Sequence, residues 1–179
     1  MKTINKETLE QFLEIATEKL PGKWLVFGGT VLPLLGARFR ATLDIDLASL
    51  DGDASISDLM KMMEIAESLG LPPETINQAG SYFIQKLGVT EEHCTLLHKG
   101  SAGSVYRPNA TTYLLLKIPR MSESDLEDCL AWIRFCESVG ERVDAEAVRD
   151  AIRKEIRAIR QGEMGGRRDR LRVLEAKFV

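Results

Sequence analysis

Histidine and cysteine, the usual ligands of zinc and the seats of thiol chemistry, are scarce in this chain. Its 179 residues include only two histidines, His93 and His98, and three cysteines, Cys94, Cys129 and Cys136. Three is an odd number, and the spacings fit no zinc site, which argues against a disulfide framework and a structural metal. Cys129 and Cys136 are seven apart, a spacing that puts two buried free thiols on one helix face. The histidines flank a short strand and have no general-base partner in the sequence, so Cys–His nucleophile chemistry has no support. Long apolar runs are missing as well. Residues 24–27 and 113–116 fall far short of the roughly 20 residues that span a bilayer. Residues 1–20 interleave lysines and glutamates with apolar positions, unlike a secretion leader. Together these absences predict a cytoplasmic protein with no membrane partner.

Nor is there a large charge of one sign. The net charge is −3, so bulk electrostatics predicts no nucleic-acid binding. The distribution is uneven, however: from position 149 to 172 there are nine basic residues against four acidic. Hydrophobic residues make up 44% and charged ones 28%, values at which a chain folds rather than staying disordered. The length suits one core, or a core with a small helical appendage.

Patterning supplies the elements. Leu9, Phe12, Leu13, Ala16 and Leu20 recur at helical spacing over 5–20, and Pro21-Gly22 ends that helix. Residues 24–27 form a wholly apolar run, as in a buried strand. Gly28-Gly29 is a tight turn, and 30–36 reads as a short helix with Pro33 in its first turn. Residues 43–47 alternate with period two, which predicts a strand with Leu43, Ile45 and Leu47 inward and both aspartates on the other face. Ser55 or Ser57 caps a helix running to about Leu69. Residues 70–90 are ambiguous; a helix opening at Pro73-Glu74 and containing Ile76, Phe83 and Ile84 is favoured over a strand at 82–87. Two strands at 94–98 and 103–107 surround a glycine-rich turn. The rest reads as helices: 111–118, stopped by Pro119; one capped by Ser122 or Ser124, with Leu126, Cys129, Leu130, Ile133 and Cys136 on one face; one capped by Asp144; and one over 168–178 after a glycine break. This order predicts an α+β protein: a small mixed sheet flanked by helices, then a helical C-terminal part.

Two features carry chemistry. A glycine turn between a strand and a helix lets backbone N–H groups approach a phosphate, and the Thr30 hydroxyl adds a donor. Glycine is also used there for tight packing alone. Asp44 and Asp46 lie two apart on a strand, so their carboxylates share a face. They repel one another unless a cation lies between them, and magnesium suits such oxygen ligands together with phosphate. The other reading is a solvated outer face.

Taken together, Phe27-Gly28-Gly29-Thr30 and then Arg40-x-Thr42-x-Asp44-Ile45-Asp46-Leu47 resemble the signature of the polymerase-beta-like nucleotidyltransferase superfamily. The Arg-x-Thr before the aspartates resembles the AbiEii-type toxins of toxin–antitoxin pairs. A later segment, Lys117-Ile118-Pro119-Arg120 followed by Asp125-x-x-Asp128, is similar to a motif of that subset. The resemblance implies a nucleotidyltransferase-type core at 1–110 and a helical region at 111–179 packed on it. It implies Mg2+ on Asp44 and Asp46, and a nucleoside triphosphate substrate held by Gly28, Gly29, Thr30, Arg40 and Thr42. It implies catalytic roles for Asp44, Asp46, Lys117 at the phosphates, and Asp125 or Asp128. The third carboxylate that many such enzymes place on a later strand is missing: no aspartate or glutamate occurs between Cys94 and Lys117.

Three functions follow as expectations. The first is transfer of a nucleoside monophosphate to a hydroxyl on a tRNA end or a protein, with a cognate antitoxin as partner. The second is a catalytically degenerate binding module. The third is a small-molecule adenylyltransferase. The arginines at 149, 153, 157, 160, 167, 168, 170 and 172 read either as a patch for the tRNA backbone or as a solvated face paired with acidic groups.

Overall fold

The computed structural model describes residues 4–36, 42–159 and 166–178. The chain divides into two compact units, Met1–Asn109 and Ala110–Val179.

In the first unit, helix α1 (Lys6–Lys19) opens where the Asn5 Oδ1 accepts the Thr8 N–H at 2.8 Å. Leu9, Phe12, Leu13 and Ala16 are all fully buried, so the periodic stripe faces the core as the spacing predicts. Each of the three large side chains, Leu9, Phe12 and Leu13, contributes roughly 1.5–3 kcal/mol through burial. There follow β1 (Gly22–Val26), α2 (Val31–Leu34), β2 (Ile45–Ser49), α3 (Ile56–Ser68), β3 (Ile76–Asn77), α4 (Ser81–Lys86), β4 (Cys94–Lys99) and β5 (Gly103–Pro108). The strands make one sheet in the order β3-β2-β1-β5-β4. β1 pairs antiparallel with β2 and parallel with β5; β2 pairs parallel with β3, and β4 antiparallel with β5. The central strand is β1, and its Trp24, Leu25 and Val26 are buried.

In the second unit are α5 (Ala110–Lys117), α6 (Glu123–Val139), α7 (Ala145–Ala158) and α8 (Arg167–Glu175). Ser122 caps α6 in a capping box with Asp125, and Asp144 caps α7. The fold is therefore α+β, a five-stranded mixed sheet with helices followed by a helical C-terminal region. No helix among the described residues is long and apolar enough to cross a membrane.

Three local expectations are corrected. The strand at the aspartates begins at Ile45, not Leu43. Leu43 is 44% exposed, because the chain bends at Leu43 and Asp44 before entering the sheet. Over 70–90, a single 3-10 turn at Pro73–Thr75 gives way to β3, which puts Ile76 in the sheet. A helix follows only from Ser81. Pairing with β2 decides this, and propensity could not see it. On α6, the buried face carries Asp125, Asp128, Cys129, Ala131, Trp132 and Cys136, whereas Leu126, Leu130 and Ile133 are half-buried. The aspartates tolerate that face because Lys117 meets both. Trp132 does so because its indole N–H donates to the Ala110 carbonyl at 2.9 Å and its ring stacks on Tyr113 at 4.3 Å.

The Asp144 cap gives a direct test of the helical unit. Its Oδ1 accepts the N–H groups of Glu146 at 3.1 Å and Ala147 at 3.0 Å. Asp144→Ala is expected to lower stability by about 1 kcal/mol. The measurement is the urea midpoint at constant slope, and an unchanged midpoint would assign the cap no weight.

Candidate active site

The glycine turn and the aspartates meet on adjacent strands. β1 ends at Val26, whose partner in β2 is Leu47, and the ladder runs one bond further, from the Phe27 N–H to the Asp46 carbonyl at 3.1 Å. This brings Gly28 beside Asp46. Gly28 has φ +64, in the left-handed region where glycine is favoured. A Cβ at that position would lie 2.2 Å from Asp46 Oδ2 and 2.9 Å from its Cγ. The aspartate side chain thus occupies the space that a missing side chain leaves open. The turn continues as Gly28–Thr30 in a 3-10 conformation into α2, which has only four residues. So short a helix adds little macrodipole, and any phosphate contact here rests on the turn's own N–H groups.

Both threonines of the signature are buried, and their hydroxyls turn to the aspartates. Thr30 Oγ1 accepts the Asp46 N–H at 3.0 Å. Its single proton has two acceptors, the Asp44 carbonyl at 3.1 Å and Asp46 Oδ2 at 3.3 Å. Thr42 Oγ1 donates to the same Asp44 carbonyl at 2.9 Å. Two side chains therefore fix the backbone on which the carboxylates are mounted. Asp44 itself is exposed, one residue ahead of β2, whereas Asp46 is half-buried. Arg40 lies outside the described residues.

Sequence reasoning missed one residue. Asn77 is the β3 partner of Asp46 in the parallel register. Its Nδ2 donates to Asp46 Oδ1 at 2.8 Å, and its Oδ1 accepts the Ala79 N–H at 3.0 Å. The second contact fixes which end of the amide faces the aspartate. The following loop is pressed close to the turn: a Cβ on Gly80 would lie 2.0 Å from the Phe27 ring. No motif announces Asn77, since a two-residue strand leaves no periodicity to read.

Lys117, Asp125 and Asp128 lie in the helical unit and form a cluster there. The Lys117 ammonium is 3.0 Å from Asp125 Oδ1 and 2.7 Å from Asp128 Oδ2, and both carboxylates are wholly buried. Arg120 adds a two-pronged contact to Asp125, with Nε and Nη2 each at 2.6 Å. Burial by itself would push the Asp125 carboxyl up. The Arg120 guanidinium, the Lys117 ammonium and the Ser122 hydroxyl and N–H outweigh it and hold the group well below the ordinary carboxylate range. Several arginines of the basic stretch bond within the same unit. Arg149 donates to the Phe178 carbonyl, Arg168 to that of Ile159 and Arg170 to that of Met121. Arg153 pairs with Glu175, and Arg167 with Glu155. Arg160 lies outside the described residues.

Among the described residues, no three His, Cys, Asp or Glu side chains are grouped to hold a metal. Asp44 and Asp46 therefore offer two carboxylates only. That pair still fits magnesium, which takes one or two carboxylates and completes its shell with water and phosphate oxygens.

A family described as nucleotidyltransferase of unknown function (DUF6036) matches residues 6–166. The match spans most of the chain, from α1 to the residue preceding α8, and the chain belongs to this family. No curated protein and no solved structure matches it.

Proposed function

We propose that the chain moves a nucleoside monophosphate from a nucleoside triphosphate to a hydroxyl acceptor, with Asp44 and Asp46 as the catalytic carboxylates. One observation carries this reading: the Asp46 carboxylate is held in the space over Gly28, with Asn77 and Thr30 on its oxygens. A carboxylate fixed against a glycine turn is where an incoming triphosphate can meet both backbone N–H groups and a divalent cation. Gly28 and Gly29 are partly exposed and are assigned to the triphosphate. Thr30 and Thr42 hold the Asp44–Asp46 backbone in place. A bound magnesium ion supplies charge neutralisation for the triphosphate. Asp44 and Asp46 provide the protein's share of its ligands.

Within this activity, the acceptor classes that the AbiEii resemblance suggests are a tRNA end and a protein side chain, with an antitoxin as the cognate partner. The resemblance assigns Lys117 to the phosphates and Asp125 or Asp128 to the attacking group. The basic stretch is the proposed tRNA contact, though much of it is already bonded within the helical unit. The absence of a third grouped acid among the described residues favours a second reading, a nucleotide-binding module without turnover.

Calorimetric titration with magnesium and each of the four nucleoside triphosphates separates these readings from a solvated face. The wild type is expected to bind one triphosphate in the presence of magnesium, and Asp44→Ala to lose at least tenfold in affinity. Equal binding by the two proteins would sink the proposal. Labelled-nucleotide transfer into cell extract, lost in Asp46→Asn, would eliminate the non-catalytic reading.

A further inference from the structure

We propose that Asn77 is the positioning residue of this site, and that its amide makes the site one that takes a divalent cation with a triphosphate rather than alone. The inference rests on the carboxylate reading above and deepens it. β2 has two neighbours in the sheet, β1 and β3. On the β1 side the residue paired with Asp46 is Phe27, and Gly28 in the turn next to it has no side chain to offer. The β3 side approaches Asp46 through Asn77, directly opposite in register. The side chain at 77 thus faces Asp46 directly from the neighbouring strand, and the chain places an amide there rather than an acid.

The amide's orientation is fixed. Its oxygen accepts the Ala79 N–H, so its NH2 group must face Asp46. Two consequences follow. A hydrogen bond from Asn77 holds the Asp46 side chain in its rotamer before any cation arrives. A neutral neighbour also adds no charge, so the site has two carboxylates to attract a cation where an aspartate at 77 would give three. Phosphate oxygens of the nucleotide then supply the missing negative charge, and cation and triphosphate bind together.

The test uses Mn2+ as the probe, read by the paramagnetic resonance of the free ion, with and without the nucleoside triphosphate that the wild type prefers. The wild type is expected to bind Mn2+ weakly alone and more tightly with triphosphate. Asn77→Asp is expected to bind Mn2+ alone at least tenfold more tightly than the wild type, and its melting temperature to rise when Mn2+ is added. Asn77→Ala keeps the two carboxylates but removes the amide that holds Asp46 Oδ1. It is expected to lose about tenfold in affinity for Mn2+ with triphosphate while remaining folded by circular dichroism. No gain in Asn77→Asp, or wild-type binding by Asn77→Ala, would overturn the proposal. Should Asn77→Asp fail to fold even with Mn2+, the alanine variant decides alone. Asp46→Asn separates this inference from its foundation. If Asp46→Asn binds Mn2+ and triphosphate as the wild type does, the carboxylate site itself is wrong; if it loses binding while both Asn77 variants behave as wild type, only the role of Asn77 is.

Discussion

Gly28→Ala is expected to lose at least about 100-fold in nucleotide transfer while remaining a folded protein. The left-handed backbone at φ +64 costs an L-residue roughly 1–2 kcal/mol. That much strain is tolerable for a domain of ordinary stability. The consequence for the site is larger. The new methyl would lie 2.2 Å from Asp46 Oδ2, 2.9 Å from Cγ and 3.3 Å from Cβ. A clash with one distal atom of a long side chain is relieved by a small rotation. Here the whole of a short side chain is in the way, and it is tied to Asn77 at 2.8 Å. Relief requires either that the carboxylate rotate off Asn77 or that the turn move away from β2. Both displace the carboxylate proposed to be catalytic by about 1 Å, a shift that can cost about 100-fold in rate. The measurement pairs a thermal melt with labelled-nucleotide transfer. A folded Gly28→Ala variant with wild-type transfer would show that Asp46 need not lie where the structure has it.

Much of this site was legible in the sequence, for a physical reason. The glycine pair, the threonines and the Asp-x-Asp all sit within 20 residues of one another, on or beside the ends of two strands that pair with each other, so local spacing reports spatial proximity. The sheet and the helical run were legible for the same reason: α1 buries its periodic stripe, and the hairpin of β4 and β5 surrounds its glycine turn. Asn77 was not legible. It reaches Asp46 from 31 residues away through a strand of two residues, whose existence depends on β2 being there to pair with. The bonds made by Thr30 and Thr42 were not legible for a related reason: both are buried, with their hydroxyls directed to the Asp44 carbonyl and, for Thr30, to Asp46 as well. Spacing places a side chain in a region; it does not say which partner is nearest. The inward face of α6 shows the same limit. A hydrophobic pattern assigns aspartates to solvent; the cation of Lys117, eight and eleven residues earlier in the chain, and Arg120 at Asp125 compensate for their burial.

Lys117→Met is expected to destabilise the helical unit by about 3–5 kcal/mol. The lysine is 6% exposed and lies between two carboxylates that are fully buried. Removing its charge leaves Asp125 with Arg120 and Ser122, but takes from Asp128 the cation 2.7 Å away. A buried carboxylate that loses a cation at that distance is held in its charged form at greater cost, and the cost falls on the folded state. The pH dependence follows the same logic. The folded-state pKa of Asp125 lies below its unfolded value, so its contribution to stability is fully present above the unfolded value of about 3.8 and is lost as pH falls through the lower folded one. Urea midpoints of the wild type should therefore fall from pH 5 downward, and Asp125→Asn should start lower at neutral pH and fall less. A flat wild-type profile would exclude this linkage. The same variant separates the two duties assigned to Lys117. If the lysine serves only the helical unit, Lys117→Met loses stability, yet each folded molecule binds the magnesium–triphosphate complex as the wild type does. If it also meets phosphate, affinity falls by tenfold or more under conditions where the variant is still fully folded. A lysine that leaves for a phosphate must abandon two buried carboxylates, so nucleotide binding would then lower the stability of the cluster it leaves. Only the phosphate reading predicts faster amide hydrogen exchange at the start of α6 when triphosphate is bound.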